Sequence, residues 1–133
     1  LSYQGISTLC PSHLFRDDEG TLWICRTRAE GAEVGDSCTS RVPLLKPAMV
    51  LLEKYRGWNL MNPEGPCFPV PSVQKMNEYL KEVAARCRIS KRLTTQMARN
   101  TFAATVTLAS RIPKEHVREM LGYSSDYMLR HYM

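Results

Sequence analysis

Short β-favouring runs separated by polar turns occupy the first third of the chain. After a turn-like segment at residues 1–8, the hydrophobic positions predict a β-hairpin between residues 13 and 27, with its turn at Asp17–Gly20. Residues 39–42 favour a third strand, which Pro43 ends. The pattern therefore predicts a three-stranded antiparallel sheet.

Helical periodicity dominates the remaining two thirds. Proline, glycine and capping-type Ser and Thr residues mark where these helices begin and end. The predicted helices run from Pro47 to a stop at Gly57, from Ser72 to Cys87, from Thr94 to about Ala109, from Pro113 to Gly122, and from about Ser125 to the terminus. A link rich in Pro, Gly and Asn, residues 59–71, separates the first two.

Apolar side chains at spacings of three and four indicate the buried faces of two helices. The second helix carries such a stripe at Val73, Met76, Leu80, Val83 and Cys87. The third carries one at Ala98, Phe102, Val106 and Ala109, which places Gln96 and Arg99 on another face. The pattern as a whole predicts one domain, residues 1–133, of class α+β and mainly α, with the three-stranded sheet packed beside a helical core.

The charge distribution is asymmetric. The net charge is +5, and residues 83–114 contain seven basic side chains and no acidic one. Six of the thirteen acidic residues lie before Ser37. A polyanion would therefore meet one favoured face, although a basic surface without a partner is the alternative.

The cysteines point to a reducing compartment. Cys10, Cys25, Cys38, Cys67 and Cys87 form no C-x-x-C pair, and an odd number leaves at least one unpaired. The three histidines do not stand at ligand spacing from any cysteine pair, so neither a metal nor a cofactor is predicted. No apolar run has bilayer length and no signal peptide is evident, so neither a membrane nor secretion is indicated.

Two segments in the second half carry a distinctive order of residues. Residues 93–103 read L-T-T-Q-M-A-R-N-T-F-A, and residues 115–125 read E-H-V-R-E-M-L-G-Y-S-S. Tyr132 follows Tyr123 by nine residues. This order resembles the L-T-x-H-x-x-R-H-T-F-A box, the V-x-x-x-L-G-H-x-S segment and the spacing to the nucleophilic tyrosine in the tyrosine recombinase (phage integrase) family, especially in integrases of Bacteroides-type mobile elements.

Upstream segments extend the resemblance over nearly the whole chain. Trp23-Ile24, followed by Arg26 and Arg28, is similar to the family's strand pair, and residues 42–45, V-P-L-L, are similar to the segment that leads into the next helix. Leu1-Ser2-Tyr3 aligns with a helix end at which some members carry serine in place of the first catalytic arginine. The resemblance implies a tyrosine-recombinase catalytic core that lacks the family's N-terminal DNA-binding domains and first catalytic helices.

The resemblance also implies a chemistry. Tyr132 would attack a DNA phosphodiester and form a 3′-phosphotyrosyl bond, without a metal or nucleotide. Arg99 would clamp the phosphate, since a guanidinium stays charged and offers bidentate contacts. Arg28 would stand in for the family's hairpin lysine beside the leaving 5′-oxygen, although Arg26 could exchange roles with it. The basic run would hold the DNA backbone through Arg86, Arg88, Lys91 and Arg92, and Arg26 is a further expected DNA contact.

Three positions depart from the family pattern. Ser2 replaces an arginine, Gln96 replaces a histidine, and Tyr123 replaces a second histidine. Each can still form hydrogen bonds, but removing one donor to a developing negative charge typically costs about 2.7–4 kcal/mol in the barrier. An arginine at position 28 is also a poor proton donor, because its pKa exceeds about 12.

Three functional hypotheses follow. The first is a bacterial integrase module that acts in the cytoplasm, on the nucleoid, with double-stranded DNA and other integrase protomers as partners and no membrane or small-molecule substrate. The second is a DNA-binding remnant of an integrase that has lost cleavage. The third is a small helical regulator of other ancestry, which predicts no sheet at residues 13–42 and no approach of Arg99 to Tyr132.

Overall fold

A computed structural model describes residues 1–27, 39–107, 109–122 and Arg130 of the chain. The described part is α+β and mainly helical, with one three-stranded sheet, as the hydrophobic pattern predicts. Its elements in chain order are α1 Tyr3–Ser7, β1 Leu14–Arg16, β2 Leu22–Thr27, β3 Thr39–Pro43, α2 Lys46–Lys54, α3 Arg56–Met61, α4 Val73–Arg86, α5 Thr95–Thr101 and α6 Lys114–Leu121. A single 3-10 turn, Pro11–His13, precedes β1, and a π-helical segment, Phe102–Thr107, continues α5.

The sheet is antiparallel throughout, with β2 between β1 and β3. Asp17 organises the β1–β2 turn: one carboxylate oxygen accepts from the Thr21 amide at 2.8 Å, and the other accepts from the Trp23 indole at 2.8 Å. Gly20 adopts φ +84°, a conformation that residues with a Cβ rarely take. The predicted hairpin and its polar turn are therefore confirmed.

One face of the sheet contributes to the first of two small cores. Ile24, on β2, is buried with Leu9 and Cys67, and Leu14 of β1 packs against them. Cys67 lies in the link between α3 and α4, and its amide donates to the Leu9 carbonyl at 2.5 Å. This hydrogen bond and the shared core connect the α3–α4 link to both the N-terminal segment and the sheet.

The second core lies between the π-helical segment and α6. Val117 and Leu121 of α6 are buried against Ala103, and Ile112 packs beside them. The Ser40 hydroxyl of β3 donates to the Met120 carbonyl at 2.9 Å, which connects the end of α6 to the sheet.

The buried face of the third predicted helix differs from the expected one. Ala98 and Ala109 are exposed, whereas Ala103 and Thr107 are buried, so the inward stripe is displaced by one residue. Small side chains occur on both faces of this helical segment, so the spacing of apolar residues alone does not determine which face is buried. The small Ala103 faces α6, and this contact determines which face is buried. The predicted continuous helix to Ala109 is also wrong in detail, because the backbone changes to π-helical geometry at Phe102.

Two short helices were not expected. Residues 1–8 contain α1, which Ser2 caps, rather than only a turn. Gly57 does not stop the helical region: α2 ends at Lys54, and Gly57 lies inside α3. α3 begins after Tyr55 without a side-chain cap and continues through Gly57, so a single glycine of low helix propensity does not end the helical region here.

The longest described helix, α4, begins after Ser72 as predicted, with the Ser72 hydroxyl accepting from the Lys75 amide at 3.3 Å. Its predicted stripe is only partly correct, because Val73, Val83 and Cys87 are exposed and Ala84 is the buried residue. In the part of the chain described, no helix combines the length and apolar character needed to cross a bilayer.

Candidate functional site

Arg99 occupies the inward side of α5. The helix begins at the predicted cap, where the Thr94 hydroxyl accepts from the Met97 amide at 3.1 Å. Arg99 stands four residues before Ala103 and eight before Thr107, and both of those residues are buried. Because residues four apart lie on one helix face, the stem of Arg99 starts from the side of α5 that faces α6.

The guanidinium of Arg99 reaches the C-terminal end of α6. Its Nη2 donates to the carbonyl oxygen of Leu121, the last residue of that helix. Gly122 follows in the left-handed conformation, with φ +69°, and ends α6 as predicted. A helix C-terminus carries partial negative charge, which favours a cation at this position. Arg99 therefore joins α5 to α6 immediately before the Tyr123 position.

The start of the chain lies in the same neighbourhood. Burial lowers the pKa of the Leu1 amino group, and repulsion from the Arg99 guanidinium lowers it further. Ser2 therefore follows a residue, Leu1, whose amino group is repelled electrostatically by Arg99. The Ser2 hydroxyl accepts from the Gly5 amide at 3.1 Å and serves as the N-cap of α1.

Gln96 lies one turn before Arg99, near the start of α5. Its amide Nε2 donates to the Asn100 Oδ1 at 3.0 Å, and its side chain is exposed. The sequence placed Gln96 and Arg99 on a common face, and the hydrogen bond to Asn100 holds the glutamine along that side of α5.

Arg26 is directed into the protein. Its guanidinium donates to the Gly5 carbonyl and, at 2.8 Å, to the Thr8 hydroxyl. These two hydrogen bonds connect β2 to the end of α1. Its charge also acts on His13, whose pKa is lowered first by burial and then by Arg26. The sequence pattern gave no local signal for this contact, which joins residues far apart in the chain. Contact of Arg26 with DNA remains a prediction.

Three predicted site residues, Arg28, Tyr123 and Tyr132, lie outside the described residues. The structure brings Arg99 into contact with the end of α6, the helix that precedes Tyr123 in the sequence, whereas the Ser2 hydroxyl contacts the Gly5 amide. The proposed roles of the three outlying residues remain predictions.

The basic run after α4 is exposed. Arg86 pairs with Glu82 at 2.6 Å within α4, so the acidic residue just before the acid-free stretch partly neutralises it. Arg88, Lys91 and Arg92 are exposed beyond the end of the helix, and Arg88 has a left-handed backbone with φ 53°. Arg86 is exposed as well but has an ion-pair partner, so we call the other three residues, Arg88, Lys91 and Arg92, the basic turn.

Two residues with contacts near the site, Thr107 and Ser40, were not predicted from the sequence. Thr107 is buried, and its hydroxyl donates to the Ala103 carbonyl inside the π-helical segment. Ser40 holds the Met120 carbonyl, one residue before the carbonyl that Arg99 contacts. A threonine in a helix and a serine in a strand are too common to indicate such roles.

Comparison with protein-family models, with curated proteins and with solved structures found no match.

Proposed function

We propose that this chain is a DNA breaking and rejoining module of the tyrosine recombinase type. The observation that carries the proposal is the position of Arg99: its guanidinium is partly buried, sits at the end of α6, and lies near the segment that contains Ser2. The resemblance assigns Arg99 and the residues that follow α6 to one site, and the contact of Arg99 with Leu121 supports that assignment.

Arg99 would bind the scissile phosphate. Its anchoring by the Leu121 carbonyl limits the motion of the guanidinium, and a fixed cation stabilises developing negative charge without reorganising during the reaction. A guanidinium also matches the geometry of two phosphate oxygens. Gln96, one turn away on α5, would add a neutral hydrogen bond.

Tyr132 would be the nucleophile. Its oxygen would attack phosphorus, form the 3′-phosphotyrosyl bond and lose its proton to water, while the bond to the 5′-oxygen of the DNA breaks and that oxygen takes a proton from water to leave as the 5′-hydroxyl. Arg28 would stabilise charge on that leaving oxygen. The liberated 5′-hydroxyl of a second strand would reverse the step, which rejoins DNA without an external energy source.

The substitutions predict slow cleavage. Ser2 supplies a hydroxyl in place of a guanidinium, and that hydroxyl already caps α1. Each missing donor is expected to reduce the rate by about 100-fold or more. Tyr123 and Gln96 would recover part of this loss by hydrogen bonding.

A DNA-binding remnant is the second candidate, and the internal use of several site groups favours it. The Ser2 hydroxyl, the Gln96 amide and the Arg26 guanidinium all bond to neighbouring parts of the chain. The basic turn, by contrast, is exposed. Such a protein would keep phosphate affinity without cleavage.

Covalent capture separates the two candidates. The chain is incubated with a pool of duplexes that carry a nick beside randomised sequence, so that a cleaved strand diffuses away and the adduct accumulates. The integrase proposal expects a protein–DNA adduct that survives denaturation and disappears in Tyr132→Phe. Tyr79→Phe is the matched control, because Tyr79 is an exposed tyrosine on α4. Salt-sensitive DNA binding without any adduct supports the remnant.

A further inference from the structure

We propose that Cys10 and Cys67 form a reversible redox pair, closed to a disulfide by peroxide and reopened by thiols. Cys10 follows the N-terminal segment 1–9, and Cys67 lies in the link between α3 and α4. The two thiols are distant in the sequence, but Cys67 belongs to the first core and Cys10 directly follows Leu9 of that core. The pair is independent of the proposed recombinase function.

Backbone geometry brings the two residues within bonding range. The Cys67 amide donates to the Leu9 carbonyl at 2.5 Å, and that carbonyl belongs to the peptide unit that leads into Cys10. Standard peptide dimensions then limit the separation of the Cys10 and Cys67 Cα atoms to about 7 Å. Disulfides span Cα separations of roughly 4.4–6.8 Å, so the backbone separation suits a disulfide. Closure also requires the Cys10 thiol to leave the Thr8 carbonyl, which it contacts at 3.4 Å.

The two side chains differ in access. Cys67 is 2% exposed and packs with Leu9 and Ile24, whereas Cys10 is partly exposed. Burial raises the pKa of the Cys67 thiol, a hydrogen bond with Asn59 opposes the rise, and the nearby Cys10 thiolate adds to it. The more exposed Cys10 thiol is thus the one that an oxidant oxidises first, and the Cys67 thiol then reacts with the oxidised Cys10 to form the disulfide.

The chemistry balances with hydrogen peroxide as the oxidant. The Cys10 thiolate attacks a peroxide oxygen, which converts Cys10 to a sulfenic acid and releases hydroxide. The Cys67 sulfur then attacks the Cys10 sulfur, forms the S–S bond and expels the sulfenic oxygen, which leaves as water with the Cys67 proton. Two thiols are oxidised, one peroxide is reduced to two waters, and a dithiol reductant reverses the step.

Closing the pair would fasten the segment that carries Ser2. Thr8, two residues before Cys10, binds Arg26, and the Tyr3 hydroxyl donates to the Pro71 carbonyl at 2.7 Å. A covalent bond between Cys10 and the link would reinforce these contacts. The loop that it closes is long, so the melting temperature is expected to rise by roughly 5–10 °C on oxidation.

The test uses a chain with Cys25, Cys38 and Cys87 replaced by serine, treated with one equivalent of peroxide. The expected product is a monomer lighter by two hydrogens, with a Cys10–Cys67 peptide in a non-reducing digest and a raised melting temperature that a dithiol restores. The reaction should be at least tenfold slower in concentrated urea, because the fold holds the thiols together.

Two controls keep the outcome decisive. Cys10→Ser and Cys67→Ala in the same background should give no intramolecular bridge, with folding checked by circular dichroism. Mapping the bridge in the natural chain needs no substitution at either position. The proposal is overturned if the folded protein yields Cys10 sulfinic acid or disulfide-linked dimers without a Cys10–Cys67 bridge, or if the bridge forms equally fast in urea.

Discussion

At the scale of single residues, Arg99 connects α5 to α6, and the proposal gives it a chemical role as well. Its guanidinium donates a hydrogen bond to the carbonyl of Leu121, the last residue of α6 and two residues before Tyr123. The sequence indicated the importance of Arg99 through its surrounding residues. Its carbonyl partner was not predictable, because the contact spans 22 positions and depends on how α5 and α6 pack.

Replacing Arg99 tests this anchoring. Arg99→Ala removes a charged hydrogen bond from a partly buried carbonyl, and we expect the free energy of unfolding to fall by about 1.5–3 kcal/mol. Chemical denaturation measures the change. Lys81→Ala, at an exposed position on α4, is the control and should change stability by less than about 0.5 kcal/mol. Equal effects of the two substitutions would contradict the role of the guanidinium.

Two glycines should respond to alanine in opposite directions. Gly122 has φ +69°, so Gly122→Ala is expected to destabilise the protein by about 1 kcal/mol. Gly57 lies within α3 with open space around its Cα, so Gly57→Ala should stabilise by about 0.5–1 kcal/mol. Paired thermal melts measure both changes. A loss of stability at Gly57 would show that α3 does not have its described geometry.

At the scale of elements, turn and cap signals predicted more than periodicity did. The hairpin around Asp17, the cap at Ser72 and the stop at Gly122 all appear where the sequence indicated them. These signals are local, because each depends on a few neighbouring residues. The buried face of α5 is a tertiary property, and α6 rather than the local pattern determines it.

The β1–β2 turn predicts a pH dependence. The Trp23 indole, followed by the Thr21 and Glu19 amides, lowers the pKa of Asp17 below its usual value near 3.8. Since the folded pKa lies below the unfolded one, the stabilisation is complete above the unfolded pKa and is lost as the pH falls through the folded value. We therefore expect the hairpin to weaken in acid below about pH 4.

Indole fluorescence during acid titration measures this effect, because Trp23 itself makes the hydrogen bond. Asp17→Asn should be less stable at neutral pH and should show a smaller acid-dependent change. Asp18→Asn, the neighbouring position on the same turn, is the matched control and should follow the natural chain. An identical acid response in Asp17→Asn and the natural chain would exclude Asp17 as the cause.

At the scale of the whole molecule, charge is segregated. The turn that contains Asp17 is acidic, whereas the basic turn of Arg88, Lys91 and Arg92 lies in a long acid-free stretch. The sequence shows this separation along the chain, because charge can be counted without knowing the fold, and a single basic face in the folded protein stays a prediction. It did not predict the partners that Arg26 and Arg86 find within the protein, since those contacts arise only on folding.

The basic turn should govern the salt dependence of DNA binding. Replacing Arg88, Lys91 and Arg92 with glutamine is expected to reduce the slope of log affinity against log salt by about 0.9 for each DNA phosphate that the protein no longer neutralises. Replacing the exposed Lys46, Lys54 and Lys81 removes the same charge elsewhere and should leave most of the slope. Fluorescence anisotropy over a salt series measures both. Equal slopes would assign the binding to overall charge alone.

One prediction of the third hypothesis is contradicted. A regulator of other ancestry predicts no sheet at residues 13–42, and the sheet is present. Its other prediction, that Arg99 does not approach Tyr132, concerns a residue outside the described part of the chain. The integrase module and the DNA-binding remnant would differ in whether a phosphodiester is broken.

Peptide mapping of the covalent product tests the central proposal most directly. After reaction with the nicked duplex pool, the DNA-linked peptide is isolated and sequenced by mass spectrometry. The proposal predicts a 3′-phosphate on Tyr132, with a yield that falls by about 100-fold or more in Arg99→Ala. DNA attached to a different residue, or a yield that does not depend on Arg99, would contradict it.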